Sequence, residues 1–291
     1  MKPIYIMKTG SYCENIENEL PRLKQTVFDS TGKQIRRITR FIELALIGAA
    51  RAGKDLPENS PVYLSSARGD MGVTIEALNR IYLEHQIPGP FNFINSVSNA
   101  ACFNIAHTLG LNAASYFIAN RYLSLESILQ IACLDLLSDD AQSALVGVVD
   151  CPTMPLEAHR TRFSLPADTP LAEGSHWLQL TTQPRDNLPI GSLSLPIHFH
   201  NKADLETWIQ NKNVENTFFS AGQSITHEER AQWLEHTQLA PLDYLQGIGH
   251  FDSQIGRTLC QFLEQGDKEA TLLYINRDPN HRYAALQIKR F

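Results

Sequence analysis

Apolar residues in the first half of the chain form two kinds of run, which alternate along the sequence. One kind is short, continuous and rich in β-branched and aromatic residues, which predicts buried strands. The other kind places apolar residues at every third or fourth position, which predicts helices. The strand-like runs are PIYIMKTG, SPVYLSS, SYFIA and ALVGVVD, and the helical runs are ITRFIELALIGAARAG, VTIEALNRIYLEHQ and LSLESILQIACLDLL.

Turn-forming residues mark where these elements end. Gly53 ends the first helix, and Pro88 stops the second. The next stretch, FNFINSVS, predicts a loop, and it leads into a helix of small residues that allow close packing. Because strands alternate with helices and the strands are continuously apolar, the first half predicts α/β layers with a sheet covered on both faces.

The second half has thinner elements, and PIGSLSLPIHFHN predicts a loop with a short strand. No low-complexity linker and no strong sequence repeat separates it from the first half, so we expect two intimate halves, 1–155 and 156–291. The predicted strands are SHWLQLTTQ, NTFFSAG, ATLLYIN and YAALQIKRF, the last two forming a hairpin around RDPNHR, and the predicted helices are ADLETWIQNK, ITHEERAQWLEHTQ and GHFDSQIGRTLCQFLEQG.

Composition narrows the class of protein. With 291 residues, of which 43% are hydrophobic, the chain can bury an ample core. The net charge of −6 argues against a nucleic-acid-binding protein, because the densest basic run, KQIRR, is too short to form a basic stripe. The longest apolar stretches fall short of the ~20 residues that a membrane span needs, and the N-terminus lacks the apolar segment of a signal peptide.

The five cysteines are odd in number, scattered and mostly within apolar segments. Neither a CxxC motif nor a metal-ligand spacing is present, which favours reduced thiols and a cytoplasmic location. Cys151, at the end of a strand, has no base that can be paired with it from the sequence. His198 and His200 would share one face of a strand, but no third ligand is evident, so we expect neither a metal nor a cofactor.

The segment SYFIANRYLSLES, residues 115–127, joins a strand directly to a buried helix. Many enzymes mount a nucleophile at such an elbow, because the turn exposes one side chain above the helix N-terminus. Here the turn offers Asn120, Arg121 and Tyr122, with no serine or cysteine at its apex. The elbow is therefore predicted to lack a nucleophile.

The stretch PFNFINSVSNAACFNIAHTLGLNAASYFIANRYLSLESILQIA resembles the N-terminal half of β-ketoacyl synthases. Similar family features are the early Arg-Phe helix in RITRFIELALIGAARAG, the strand AEGSHWLQL and the helix start GHFDSQIG. The resemblance spans nearly the whole chain, is weaker in the second half, and implies a thiolase-like layered αβαβα fold, truncated in the C-terminal half.

The departures from the family pattern carry the functional interpretation. A ketosynthase needs a cysteine at the elbow, where the helix N-terminus lowers its pKa, and two histidines. At the aligned positions this chain has Tyr122 for the cysteine and Gly222 for the first histidine, whereas the second is retained as His250. A phenol is a poor nucleophile, since its ordinary pKa is about 10. Leu245 replaces the family lysine, and INRDPNHRYA replaces the glycine-rich gate loop. We therefore expect no catalytic residue in this chain.

A ketosynthase-like chain without its nucleophile is similar to a chain length factor, and its short length resembles the aryl polyene type. The resemblance implies a heterodimer with a complete ketosynthase, and an acyl carrier protein that acts on the complex. Since a net charge of −6 does not suit an acidic carrier, docking is expected mainly on the partner. In the family, the strand before the elbow pairs antiparallel with its partner; here it comprises Ser115, Tyr116, Phe117, Ile118 and Ala119.

Such a subunit shapes the far end of an acyl tunnel, where apolar burial holds the growing chain and a bulky side chain stops elongation. By position, the candidates for the tunnel or its gate are Met71, Thr74, Ile75, Leu78, Phe91 and Phe93, although core packing is an equal alternative for Met71 and both phenylalanines. Tyr122 is expected to fill the space of the lost cysteine, and His250 to be a structural remnant.

Two other functions stay open from the sequence. One is a divergent thiolase-fold acyltransferase or decarboxylase that uses His250 or another residue. The other is an interaction module that stabilises the ketosynthase, or docks its carrier, without setting product length.

Overall fold

The computed structural model describes residues 2–16, 20–97, 99–184, 188–212, 215–237 and 239–291. The first half contains β1 (Ile4–Ile16), α1 (Lys24–Thr31), α2 (Arg40–Gly53), β2 (Val62–Ser66), α3 (Met71–Tyr82), α4 (Pro90–Ser96), α5 (Ala100–Leu109), β3 (Ser115–Ala119), α6 (Ser124–Leu137) and β4 (Ser143–Asp150). The second contains α7 (Leu156–Arg162), β5 (Leu171–Thr181), β6 (Gly191–Leu193), β7 (Ile197–Phe199), α8 (Lys202–Gln210), β8 (Thr217–Ala221), α9 (His227–Thr237), β9 (Ala240–Pro241), α10 (Gln254–Gln265), β10 (Thr271–Arg277) and β11 (Tyr283–Arg290).

The strands form one sheet, in which ten strands make two similar five-stranded units and β7 pairs with β11 outside this order. The first unit has the order β3-β2-β4-β5-β1, and the second has the order β9-β8-β10-β11-β6. In each unit the first three strands are parallel and the last two pair antiparallel. The antiparallel pairing of β1 with β6 joins the units. The chain is therefore a structural repeat that its sequence does not reveal.

Three apolar clusters show how the helices cover this sheet. One cluster packs α2 and α5 on the outer face of the first unit, and another packs residues of α8 and α9 on the outer face of the second. Between the units, the buried faces of α6 and α10 meet apolar residues of β1, β4, β5, β10 and β11. Alternate residues of β10 serve different clusters, since Leu272 points inward and Leu273 outward. The layers run α, β, α, β, α, which confirms the predicted fold class.

The second unit is reduced in strand length. Its edge strand β9 has 2 residues and its joining strand β6 has 3, compared with 5 in β3 and 13 in β1. The division of the chain at residue 155 stays a prediction. β5 lies beyond that position, yet it completes the first unit, so the topology changes between β5 and β6.

The segment Pro90–Ser96 is helical, and the prediction of a loop there was wrong. Pro90 occupies the first turn, where its fixed φ favours a helix. None of the helix is buried, so its apolar residues lack the one-sided spacing that normally predicts a helix. The helices α1 and α7 were not predicted either; both are short, with 8 and 7 residues. Within the described residues, every helix is too short or too polar to cross a membrane.

Candidate functional site

The elbow after β3 is built from contacts with both halves of the chain. The N–H of Asn120 donates to the carbonyl of Ser66 at 3.2 Å, which ends the pairing of β3 with β2. From β10, the side-chain amide of Asn276 donates to the carbonyl of Tyr122 at 2.8 Å. Leu123 precedes α6 and provides no side-chain cap. A residue of the closing hairpin thus holds the turn that the sequence predicts to lack a nucleophile.

A cavity of about 260 Å³ lies in front of this elbow. Tyr122, Gly222, Leu245 and His250 all line it, although they are spread over the two halves of the chain. Tyr122, Gly222 and Leu245 are positions at which the sequence departs from the ketosynthase pattern, and His250 is the position at which it agrees. The fold brings them together, and the departures therefore concern one place in the molecule.

Gly222 has no room for a side chain. A β-carbon at this position would overlap the amide oxygen of Asn276 and would lie 3.0 Å from the hydroxyl of Tyr274. The backbone is also held, because the N–H of Gly222 donates to the carbonyl of Ile275 at 2.8 Å. A histidine side chain cannot occupy this position unless the side chain of Asn276 or Tyr274 moves.

Glu126 is a buried acid in the cavity wall, and the sequence reasoning missed it. Its side chain is 1% exposed, and its Oε1 accepts from Asn276 Nδ2 at 2.8 Å. Burial raises the pKa of Glu126 to about 7, and the hydrogen bond from Asn276 opposes this shift. The signal in the sequence that could have revealed Glu126 is a charged residue within an apolar helical run. In the structure, every residue from Leu123 to Glu126 is buried.

His250 is fixed mainly through its backbone. Its N–H donates to the carbonyl of Pro170 at 2.6 Å, and its carbonyl accepts from the N–H of Ala172 at 3.0 Å. Burial lowers the pKa of the imidazole, and nearby Asp252 opposes the shift. The ring is therefore neutral at pH 7. Within the described residues, the cavity offers this imidazole without an adjacent thiol.

An ion pair borders the cavity beside His250. Arg68 Nε lies 2.8 Å from Asp252 Oδ2, and the same guanidinium stacks 3.5 Å from the ring centre of Phe163. Asp150 is buried behind this pair; burial and then the charge of Asp252 raise its pKa to about 7. The Ser66 hydroxyl donates to Asp150 at 2.6 Å, so the carboxyl is hydrogen-bonded despite its burial.

The segment in place of the gate loop is a tight hairpin turn. Asp278 Oδ1 accepts from the backbone N–H groups of Asn280 and Arg282, at 2.9 and 3.0 Å. Arg277 forms an ion pair with Glu229 of α9 at 2.5 Å. These contacts hold the turn on both sides, in contrast to a glycine-rich loop.

The six tunnel candidates lie in two kinds of environment. Ile75 and Phe91 line a second cavity of about 630 Å³, between α3, α4 and the start of α2. Met71 and Thr74 are half-buried at the start of α3. Leu78 and Phe93 are 46% and 69% exposed, on surfaces that this chain leaves uncovered.

The strand β3 lies at the end of the sheet and pairs with β2 along one edge. Ser115, Tyr116 and Ala119 are exposed, and Phe117 and Ile118 are half-buried. The ring of Tyr116 stacks on that of Tyr63 at 4.9 Å. Exposed apolar side chains also lie on the neighbouring helices α3 to α6: Leu78, Ile81, Tyr82, Phe91, Phe93, Ile94, Phe103, Ile131 and Leu134.

The remaining candidates from the sequence show no site chemistry. Burial raises the pKa of the Cys151 thiol well above its usual range, so the thiolate is disfavoured. β7 ends at Phe199, so His200 lies just beyond the strand that was expected to carry both histidines. The described part of the chain brings together no group of three or more His, Cys, Asp or Glu side chains that could hold a metal ion.

Comparison with solved structures places this geometry in a known fold. The ishigamide ketosynthase/chain length factor aligns with a TM-score of 0.74, 13% identity and 99% coverage of both chains. The chain has the thiolase-like fold of ketosynthases. A type II polyketide synthase ketosynthase in complex with its acyl-carrier protein (AntDE:AntF) aligns with a TM-score of 0.72 and 13% identity over 100% of both chains.

A β-ketoacyl synthase from Burkholderia phymatum STM815 also aligns over 100% of both chains, with a TM-score of 0.70 and 10% identity. No protein-family model matches the sequence, and no curated protein is similar to it. Since identities of 10–13% show the fold alone, the function has to be argued from the residues of the cavities and surfaces.

Proposed function

We propose that this chain is a non-catalytic chain length factor, which pairs with an active ketosynthase and shapes the acyl tunnel of the complex. The observation that carries the proposal is the contact of Gly222 with Asn276. This contact closes the position proposed for the first histidine, and Tyr122 lies at the position proposed for the nucleophile. Condensation needs both groups, so the partner must supply them.

The edge of the sheet supports a heterodimer. β3 has an unpaired edge among the described residues, and long exposed strand edges are usually covered in soluble proteins. The exposed apolar side chains on α3 to α6 surround this edge and have the character of a protein interface. Antiparallel pairing of β3 with the corresponding strand of a ketosynthase would cover both the unpaired strand edge and the surrounding apolar side chains.

The second cavity supports a role in shaping the tunnel. Ile75 and Phe91 lie on its wall, and Leu78 and Phe93 lie on the exposed surface next to it, where a partner would complete the enclosure. The cavity wall has an apolar part, which includes Phe41, Val73 and Ile75. A rigid polyene chain is the substrate class that would pack against this part, in line with the resemblance to aryl polyene systems. The proposal places the complex in the cytoplasm, with an acyl carrier protein as its other partner.

The distribution of charge bears on where the carrier docks. Residues 22–40 contain six lysines and arginines and one acidic residue, although the whole chain carries a net charge of −6. Docking is still expected mainly on the ketosynthase, and this local excess supports an additional contact of an acidic carrier with this chain.

Co-expression tests the proposal. A complete ketosynthase from an adjacent reading frame, with its cysteine and two histidines, should co-purify with this chain in a 1:1 complex that elongates carrier-bound acyl chains. The chain alone should leave malonyl carrier protein intact. A soluble monomer that never co-purifies with such a partner would contradict the proposal.

An enzyme of its own right is the second candidate, favoured by the neutral His250 and the buried Glu126 in one cavity. Release of CO₂ from malonyl carrier protein by the isolated chain, lost in His250→Ala, would establish it. An interaction module that does not set product length would instead form the complex and leave product length unchanged in every cavity variant.

A further inference from the structure

Two large cavities meet at two consecutive residues on the surface of the first half. A groove of about 680 Å³ runs between α1 and the segment that precedes α2, and its lining includes Lys24, Phe28 and Arg36. The second cavity, of about 630 Å³, lies behind it and contains Ile75 and Phe91. Arg37 and Ile38 line both. The side chain of Arg37 therefore stands where the groove would open into the cavity.

Arg37 is held in an unusual conformation. Its φ is 60°, in the left-handed region that is costly for residues with a β-carbon. The carbonyl of Arg37 accepts from Asn95 Nδ2 at 3.1 Å, and its guanidinium lies 4.5 Å from the ring centre of Phe91. Contacts with α4 thus support a strained residue at the junction, a pattern common at functional sites.

The groove suits an anionic group attached to an apolar body. Lys24, Arg36 and Arg37 are exposed and form no ion pair with the described residues. Phe28 adds an apolar surface, and half-buried Glu43 is an acidic group on the wall. Beyond Arg37, Phe41, Val73 and Ile75 form an apolar part of the cavity wall, whereas Arg40, Asp70, Glu76 and Asn92 are among its polar residues.

We propose that Arg37 and Phe91 form a gate through which a long acyl chain, carried by an anionic group, passes from the groove into the cavity. The proposal rests on the proposed function, since it assigns this chain a direct route to the cavity that shapes the product. The cations would hold the anionic group in the groove, while the apolar chain displaces Arg37 from the ring of Phe91.

Stopped-flow fluorescence with trans-parinaric acid, a linear conjugated fatty acid, tests the gate on the isolated chain. At 0.5 M salt, where electrostatic steering is screened, Phe91→Leu and Arg37→Gln should each speed association about two- to fivefold, the factor expected for loss of one cation–π contact. The double variant should be no faster than either single variant, because both remove the same contact. Arg22→Gln is the matched control, since Arg22 is an exposed cation that lines neither cavity, and its substitution should leave the rate unchanged.

Ile75→Trp shows whether the probe reports the cavity. This substitution fills the space behind the gate and should reduce affinity at least tenfold, whereas an unchanged affinity would place the probe elsewhere and overturn the proposal. Equal association rates for the wild type, Phe91→Leu and Arg37→Gln would also overturn it. Neither outcome affects heterodimer formation, which co-purification measures separately. A result that contradicts the gate can therefore be distinguished from one that contradicts the proposed function.

Discussion

Gly222 packs so tightly against Asn276 that a β-carbon on the glycine would overlap the amide oxygen of the asparagine. Asn276 is itself held, because its amide group donates to both Tyr122 and Glu126 at 2.8 Å. The asparagine therefore blocks a side chain at position 222, which is the proposed position of the missing histidine, and fixes the elbow at the same time. Several consequences can be measured.

Gly222→Ala should lower the free energy of unfolding by about 1–3 kcal/mol, the usual cost of overpacking. Urea denaturation measures this change. Gly89→Ala is the matched control, because no atom outside its chain neighbours lies within 4 Å of the added carbon, and it should change stability by less than about 0.5 kcal/mol. An unchanged free energy of unfolding in Gly222→Ala would show that the side chains of β10 move aside at little cost. This result would remove the main support for a closed site.

Tyr122→Cys should produce a reactive thiol without restoring condensation. The new side chain would lie just before α6, whose N-terminus has no side-chain cap and stabilises a thiolate. Alkylation by iodoacetamide at pH 7 should therefore be faster at position 122 than at Cys151, whose pKa is raised by burial. Condensation by the isolated variant would contradict the argument that the histidine position is closed.

Glu126 should make the protein less stable as the pH rises. Its pKa is about 7 when folded and about 4.3 in an unfolded chain, so the unfolded state releases its proton first. The contribution of Glu126 to stability is therefore complete below about pH 4, and on the order of 3 kcal/mol of it is lost between there and pH 7. In Glu126→Gln this part of the loss should disappear.

Urea denaturation at pH 5 and pH 8 measures that difference. Exposed Glu84→Gln is the matched control and should retain the wild-type dependence. Asp150, whose pKa is also raised to about 7, should leave a residual loss in Glu126→Gln that Asp150→Asn removes. A Glu126→Gln variant with the full wild-type dependence would refute the assignment.

Phe103→Glu should weaken the complex with a ketosynthase. Phe103 is 68% exposed on α5, next to β3, so the charge would be buried at the proposed interface. Loss of a central apolar contact typically costs at least about 2 kcal/mol, or roughly thirtyfold in affinity. Phe28→Glu, 43% exposed on α1, should leave the affinity unchanged. Equal effects of the two substitutions in calorimetry would place the interface elsewhere.

Cavity variants should change product length in the complex. Ile75→Ala and Phe93→Ala enlarge the space available to the growing chain and should lengthen the products, whereas Ile75→Trp should shorten them. Mass spectrometry of the released acyl chains measures the product length of each variant complex. Unchanged length across substitutions at Met71, Thr74, Ile75, Leu78, Phe91 and Phe93 would refute the assignment of these residues to the tunnel.

Local spacing of apolar residues sufficed for most elements near the candidate site, including β3, α6 and the closing hairpin. These elements are dictated by contacts between residues a few positions apart, which a single sequence displays. The short helix α4 was not predicted because its apolar side chains are exposed, so their spacing shows no periodicity that would indicate a core-facing side. The role of Glu126 in the cavity was not predicted, because an isolated carboxylate within an apolar run does not reveal that Asn276 is its partner.

By itself, the sequence determined most of the strands and helices in their order, and it predicts that the nucleophile and the first histidine are missing, since both are properties of residue type and local order. The tertiary structure alone decided that Tyr122, Gly222, Leu245 and His250 share one cavity, and that Arg37 divides two others. Such relationships join residues far apart in the chain, and they depend on how the two five-stranded units close around α6 and α10.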